Sequence, residues 1–335
     1  MSTHTPIHEV KNVLDLGLKK WPTVNYGKHP AYGGTFGRPG IGRRLAALKA
    51  FTPYFADQIK VSMRRKTGWR RPKLDDSQND SYNSLIKDGI VGFRIPDSEK
   101  GELISLMAAP ISDLLAAKEQ INPGDRAFLD NNKYLDRDQY VGIYNLVDQI
   151  LDGAGIKSAA GRYMGRGQKI SMVNLMTYDA KETHWRDMFE DVEVPDPPTT
   201  YWHMDSSRRS NKVLIYLTDV GDENGPFSFV KGSHRLRMGP VEYLIRNAND
   251  KSRLDKTDRE TRELFHALPG FFQNKCEFGN DLSGDSAEAQ NLLESEVKVT
   301  SADGDMILFD TDGIHRGGMV REGQRHILQV PLVAG

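Results

Sequence analysis

The sequence predicts an all-β core with α additions, a sandwich or barrel with a helical N-terminal half packed on it. Three observations predict this. From about residue 168 onward the chain breaks into short runs rich in Val, Ile, Leu and Phe, separated by Gly, Asn and Asp; such runs read as strands joined by turns. The preceding stretch repeats apolar residues at helical spacing. The 335 residues, 38% hydrophobic and 27% charged, suffice for one large domain or for a core with an added lobe.

Taken in order, residues 1–40 are rich in Gly, Pro and Tyr and read as an irregular arm. Residues 41–66 carry apolar positions at helical spacing, interrupted by Pro53. Together they give an irregular and helical basic extension over 1–80, ahead of a main domain over 81–335. Gly89–Pro96 reads as a short strand. Residues 98–120 return to helical period through Leu103, Leu106, Met107, Ile111, Leu114 and Leu115, and 139–152 form a further helix. Strands are expected at Lys169–Tyr178, Thr199–Asp205, Lys212–Thr218, Pro226–Val230, Glu296–Thr300, Asp305–Phe309 and Arg325–Val333. A charged helical stretch over 240–295 reads as an insertion into this series. No internal repeat is apparent.

The charge is uneven. Residues 1–75 hold fifteen Lys and Arg against four Asp and Glu, which leaves 30 basic and 42 acidic residues in the other 260. Arg64-Arg65-Lys66 and Arg70-Arg71-Pro72-Lys73 contribute to this excess. A basic flank of this kind suits weak peripheral contact with an anionic membrane, an acidic glycan or the chain's own acidic half, or simply a solvated surface. Its aromatics follow no base-stacking pattern, so nucleic acid is not expected as a partner. No apolar run approaches the roughly 20 residues that span a bilayer. The single cysteine, Cys276, excludes an internal disulfide and a thiolate-rich metal site. A cytoplasmic location is expected, since no secretory signal is visible at the start of the sequence.

The chemistry is carried by a constellation of separated residues. One His-x-Asp tripeptide, His203-Met204-Asp205, lies on an expected strand. Positions i and i+2 of a strand share a face, so imidazole and carboxylate would point together. A tripeptide alone is about what chance supplies at this composition. A third ligand from a distant strand would complete one triangular face and leave positions open, as mononuclear non-haem iron(II) sites require. His315, after the strand Asp305–Phe309 and ahead of Gly317-Gly318, is the best-placed candidate. A 2-oxoacid that chelates such a metal has a distal carboxylate to hold, and a guanidinium fork matches it. Arg321 falls in a turn and faces solvent; Arg325 opens the last strand and is favoured as the anchor. His234, in Gly-Ser-His, reads as a turn residue bracing its loop. Trp185 and Arg186 stand in a loop suited to substrate contact, or to a solvated surface, and the same choice applies to Arg208-Arg209.

Four blocks now carry a resemblance: Trp202-His-Met-Asp205; Asn224-Gly-Pro-Phe-Ser-Phe-Val-Lys-Gly-Ser-His234; Gly304-Asp-Met-Ile-Leu-Phe309 leading to His315; and Arg325. Over about residues 168–333 the chain resembles the phytanoyl-CoA dioxygenase family of iron(II)/2-oxoglutarate oxygenases. The resemblance implies a double-stranded β-helix, of jelly-roll or cupin-like form, with Fe(2+) and 2-oxoglutarate as cofactor and co-substrate. It implies His203, Asp205 and His315 as metal ligands, Arg325 as the 2-oxoglutarate anchor and Asn174 as a further co-substrate contact. It also implies a reaction with O2 that oxidises a small-molecule substrate and releases succinate and carbon dioxide. Two departures touch the co-substrate contacts: Leu214 stands where relatives carry an aromatic, and Gly317 where they carry a small hydroxyl residue. The carboxylate at 205 favours hydroxylation over halogenation and leaves desaturation, cyclisation and epimerisation open. Two other readings stay open here: a non-catalytic barrel that binds a ligand or glycan, and a zinc-dependent lyase or isomerase. The basic flank slightly favours an anionic substrate, and the oligomeric state is not legible.

Overall fold

The computed structural model describes residues 38–49, 63, 73–122, 128–180, 205, 210–235, 267 and 296–335, and the backbone alone at 8–9, 23–24 and 276–277. The expected strand over 199–205, except Asp205, lies outside the described residues. So do the segment His184–Asp187, Arg208 and Arg209, and most of the basic flank and the 240–295 stretch.

Two antiparallel sheets form the core. The larger orders its strands β3 (Ile90–Arg94), β11 (Asp305–Asp310), β7 (Asn211–Tyr216), β13 (Gln324–Ala334), β6 (Val173–Asp179) and β4 (Asn132–Leu135), with β5 (Gln168–Ile170) also paired to β13. The smaller orders β1 (His8–Glu9), β10 (Glu296–Val299), β8 (Phe227–Val230) and β12 (His315–Arg316). A two-stranded ladder joins β2 (Thr23–Val24) to β9 (Cys276–Glu277). Sequence neighbours thus alternate between sheets, β7 to β8 and β11 to β12 to β13, as a jelly roll requires. The arm over 1–40 contributes two of these short strands.

Helices α2 (Asp76–Lys87), α3 (Asp97–Glu119), α4 (Val141–Gly153) and α5 (Ile156–Met164) cover the outer face of the large sheet, and a mostly exposed helix α1 (41–49) precedes them in the chain. Asp75 caps α2 by accepting from the Gln78 backbone N–H, and the Gln78 side chain accepts in return from the Asp75 N–H. α3 buries Leu103, Met107, Pro110, Leu114 and Lys118, a stripe at i, i+4 and i+3 spacing. Leu106, expected on that stripe, is exposed and Leu115 half-buried, because the stripe runs one position away from them.

Strand parity builds two hydrophobic cores. Val173, Leu175, Val213, Ile215, Met306, Leu308, Leu328 and Val330 face the helices. Met176, Tyr178, Leu214, Tyr216, Ile307, Phe309 and Ile327 face the small sheet, against Phe227, Phe229 and Val299. With both faces covered, the central strands read as near-continuous apolar runs. The expected strand Lys169–Tyr178 is divided in two. Pro331 on β13 has no N–H for the ladder, and the chain steps there from β6 to β5 while the Ser171 N–H donates to the Pro331 carbonyl at 2.9 Å.

Candidate metal and oxoacid site

One cavity of about 220 Å³ opens between the sheets, and its wall gathers four residues that the sequence singled out: Asp205, His315, Arg325 and Asn174. The wall is built by parity. Lys212, Leu214 and Tyr216 are alternate residues of β7; Arg325, Ile327 and Gln329 of β13; Asn174, Met176 and Tyr178 of β6.

His315 opens β12, opposite Phe229 of β8. The loop before it is bonded throughout. The Tyr163 hydroxyl donates to the buried Asp310 carboxylate, which also accepts from the Asp312 N–H at 3.0 Å. The Ile314 N–H donates to Ser233 Oγ at 2.7 Å, and that hydroxyl donates onward to the Val230 carbonyl at 2.6 Å. A Cβ at Gly313 would stand 2.0 Å from the Phe229 ring, so only glycine fits beneath it. Phe309, Phe227 and Phe229 surround the imidazole at centroid distances of 5.1, 5.5 and 6.5 Å. His315 Nδ1 lies 2.8 Å from the Gly313 carbonyl, which can only accept. Nδ1 therefore carries the proton in the neutral ring, and Nε2 presents its lone pair.

That lone pair faces Asp205. Oδ2 of Asp205 is 3.4 Å from His315 Nε2 and 2.7 Å from Lys212 Nζ. Asp205 is held beside the His315 loop by its backbone: its N–H donates to the Thr311 carbonyl at 3.0 Å, and the Thr311 N–H and hydroxyl both donate to the Ser210 carbonyl. Two ligands at roughly 2.1 Å from one ion, at a right angle, stand about 3 Å apart. The 3.4 Å gap between these two atoms is close to that spacing. Among the described residues no group of three His, Cys, Asp or Glu converges; His203 lies outside them. The donor set present, one imidazole nitrogen and one carboxylate oxygen, fits a divalent iron or zinc ion.

Arg325 is 7% exposed and its guanidinium lies over the Tyr178 ring at 4.7 Å, while Nη1 donates to the Gly318 carbonyl at 3.2 Å. Arg321 is exposed. The Gly318 carbonyl is placed by the Asn224-Gly225 turn. Gly225 has φ +71°, and a Cβ there would meet the Gly318 oxygen at 2.3 Å. The Asn224 side chain donates to the Glu322 carbonyl at 2.8 Å, and the Gly318 N–H to the Pro226 carbonyl at 3.0 Å. Asn174 donates to Asn132 Oδ1 at 3.1 Å and pairs in register with Gln329, four residues along β13 from Arg325. It therefore stands at the opposite end of the cavity from the arginine.

His234 is not in the cavity wall. It is buried, with Nε2 3.2 Å from the Ile86 carbonyl at the end of α2, and so braces its turn as expected. Lys212, Tyr216 and Asn132 were not anticipated. The first two carried a signal in the alternation Lys212, Leu214, Tyr216, which puts them on the inner face once Leu214 is inside. Asn132 sits on a strand too short and polar to be read.

Residues 179–327 match the family model described as phytanoyl-CoA dioxygenase. Among solved structures the chain is similar to EctD from S. alaskensis in its apoform, at 16% identity and TM-score 0.47, covering 79% of this chain and 83% of that one. It is similar to the non-heme alpha ketoglutarate dependent epimerase SnoN from nogalamycin biosynthesis, at 14% identity and TM-score 0.45, covering 77% and 81%. It is also similar to EvdMO1, at 15% identity and TM-score 0.42, over 76% of this chain; it spans only 50% of the length of EvdMO1. No curated protein sequence matches. Residues 179–327 are thus similar to the phytanoyl-CoA dioxygenase family over somewhat less than half of the chain.

Proposed function

We propose that the protein is an iron(II)- and 2-oxoglutarate-dependent dioxygenase that hydroxylates a small or medium organic molecule. The observation that carries this reading is the pairing of the His315 Nε2 lone pair with Asp205 Oδ2 at 3.4 Å, in a cavity that also contains a buried arginine. His203, His315 and Asp205 would hold the metal, and Arg325 the distal carboxylate of the oxoacid. Bound iron with 2-oxoglutarate supplies oxidation of a C–H bond by O2, coupled to decarboxylation of the oxoacid to succinate.

The chain's own residues have distinct tasks. The Gly313 carbonyl fixes the His315 tautomer, and the three phenylalanines fix its ring plane. Lys212 orients the Asp205 carboxylate through a charge-assisted hydrogen bond at 2.7 Å. Tyr178 supports the face of the Arg325 guanidinium, leaving its edge to meet a carboxylate. Asn174, far along β6 from Arg325, is placed to meet the chelating end of the oxoacid or the substrate. The buried arginine favours this reading over a zinc lyase, which needs no oxoacid anchor. The mainly apolar wall of Met176, Leu214, Phe227, Phe309 and Ile327 shields the reacting centre from water.

Succinate release from the iron-loaded protein, with 2-oxoglutarate and a panel of organic substrates, tests the proposal. A substrate that raises release above the uncoupled background, with the signal abolished in Asp205→Ala, supports it. Equal succinate formation by the wild type and Asp205→Ala would refute it.

A further inference from the structure

We infer that Tyr134, Asn174 and Gln329 form the subsite for the organic substrate and that they select an uncharged molecule bearing hydroxyl groups; this rests on the oxygenase reading above. The three residues come from separate strands and share one row. Tyr134 of β4 pairs in register with Asn174 of β6, and Asn174 with Gln329 of β13. Gln329 pairs in turn with Leu214 of β7, two residues from the Lys212 that holds Asp205. All four residues of the row line the cavity. With strands about 4.8 Å apart, the row runs roughly 14 Å, from the rim to the flank of the candidate metal site. At the rim the Tyr134 side chain is 59% exposed and offers a flat apolar face.

Asn174 sets the chemistry of the row. It is 2% exposed; its Nδ2 donates to Asn132 Oδ1 at 3.1 Å, and its Oδ1 has no hydrogen-bond partner among the described residues. A buried acceptor left unpaired is costly, so this oxygen calls for a donor from a ligand. The oxoacid supplies none, because with both carboxyls ionised it carries acceptors only. The donor therefore belongs to the substrate. On the adjacent strand the half-buried Gln329 amide can both donate and accept. Side chains paired in this way have Cβ atoms about 5 Å apart, so one ligand atom can meet both. A hydroxyl donates to Asn174 and accepts from Gln329 through a single oxygen, whereas an amide N–H only donates and a carboxylate only accepts. The charged side chains of the wall, Asp205, Lys212, His315 and Arg325, stand off this row, which is itself neutral. Tyr134 completes it with a ring face for the apolar side of the bound molecule.

The test uses the full chain loaded with zinc(II) and 2-oxoglutarate, which binds without turnover, and saturation-transfer NMR. The probes are methyl glucoside and cyclohexanediol, their fully O-methylated ethers, and cyclohexanecarboxylate. The two hydroxylated probes should receive saturation, and the ethers and the carboxylate should not. Asn174→Leu, close in size, should weaken the hydroxylated probes about fivefold and leave calorimetric 2-oxoglutarate affinity unchanged. Tyr134→Ala and Gln329→Met alter less buried positions and should weaken the same probes, which decides the matter should Asn174→Leu lower the melting temperature. Equal saturation of alcohols and ethers, or none of either hydroxylated probe, would overturn the inference. So would a loss of 2-oxoglutarate affinity in Asn174→Leu with alcohol binding retained, which would make Asn174 a co-substrate contact. If the unsubstituted zinc-loaded protein binds no 2-oxoglutarate, the oxoacid reading itself fails, and this inference with it.

Discussion

Arg325 and Arg321 lie four residues apart and meet opposite fates. One is buried over Tyr178 and the other is exposed. Arg325→Ala should raise the 2-oxoglutarate concentration needed for half-maximal turnover by roughly ten- to a hundredfold, as expected for loss of hydrogen bonds to a charged group. Arg321→Ala should leave it unchanged; steady-state kinetics at varied 2-oxoglutarate decide. His326, next in sequence, faces the helices. Burial first, and the Lys118 charge second, push it below the ordinary histidine value of 6.5. The unfolded chain then binds the extra proton below about pH 6.5 while the folded one resists it, so stability falls as pH drops through that window. The melting temperature of the wild type should therefore fall more steeply from pH 7 to pH 5 than that of His326→Gln. Side-chain chemistry made Asp205, His315 and Arg325 stand out as candidates in the sequence, because few residue types can bind a metal or an oxoacid, and all three line the one cavity. Tyr216 was not legible: a tyrosine in an apolar strand looks like core until register places it diagonal to Arg325.

At the scale of elements, the turn Asn224-Gly225 links β7 to β8 and fixes the backbone at Gly318, whose carbonyl accepts from Arg325. Gly225→Ala would force a side chain into the left-handed region at φ +71° and against the Gly318 oxygen. It should cost about 1–3 kcal/mol of stability and weaken 2-oxoglutarate binding, measured by denaturant unfolding and by titration. The reason for this Asn-Gly was invisible in sequence, because the backbone it touches lies some ninety residues away. Most strands and helices were legible because their apolar runs match period 2 or 3.6. β4 was not, since Asn132–Leu135 carries no such run. The break between β5 and β6 was also hidden, because Pro331, which causes it, belongs to a distant strand.

For the whole molecule, the cavity is a junction between sheets. Asp205 precedes β7 of the large sheet and His315 opens β12 of the small one. An ion held by both would tie the sheets together, so metal binding should stabilise the entire fold by linkage, about 2.7 kcal/mol at a hundred times the dissociation constant. The two-sheet architecture was foreseeable from short strands punctuated by turns, but the partition of strands between sheets was not. It depends on pairings such as β11 with β7 and β8 with β12 that join segments far apart in the chain. The most direct measurement is an anaerobic titration of the full chain with iron(II) and 2-oxoglutarate, followed by visible absorption. A weak charge-transfer band should appear in the wild type, with a rise in melting temperature, and both should vanish in His315→Ala. A band of equal strength in His315→Ala, or none in a wild type that binds both ligands, would contradict the assignment.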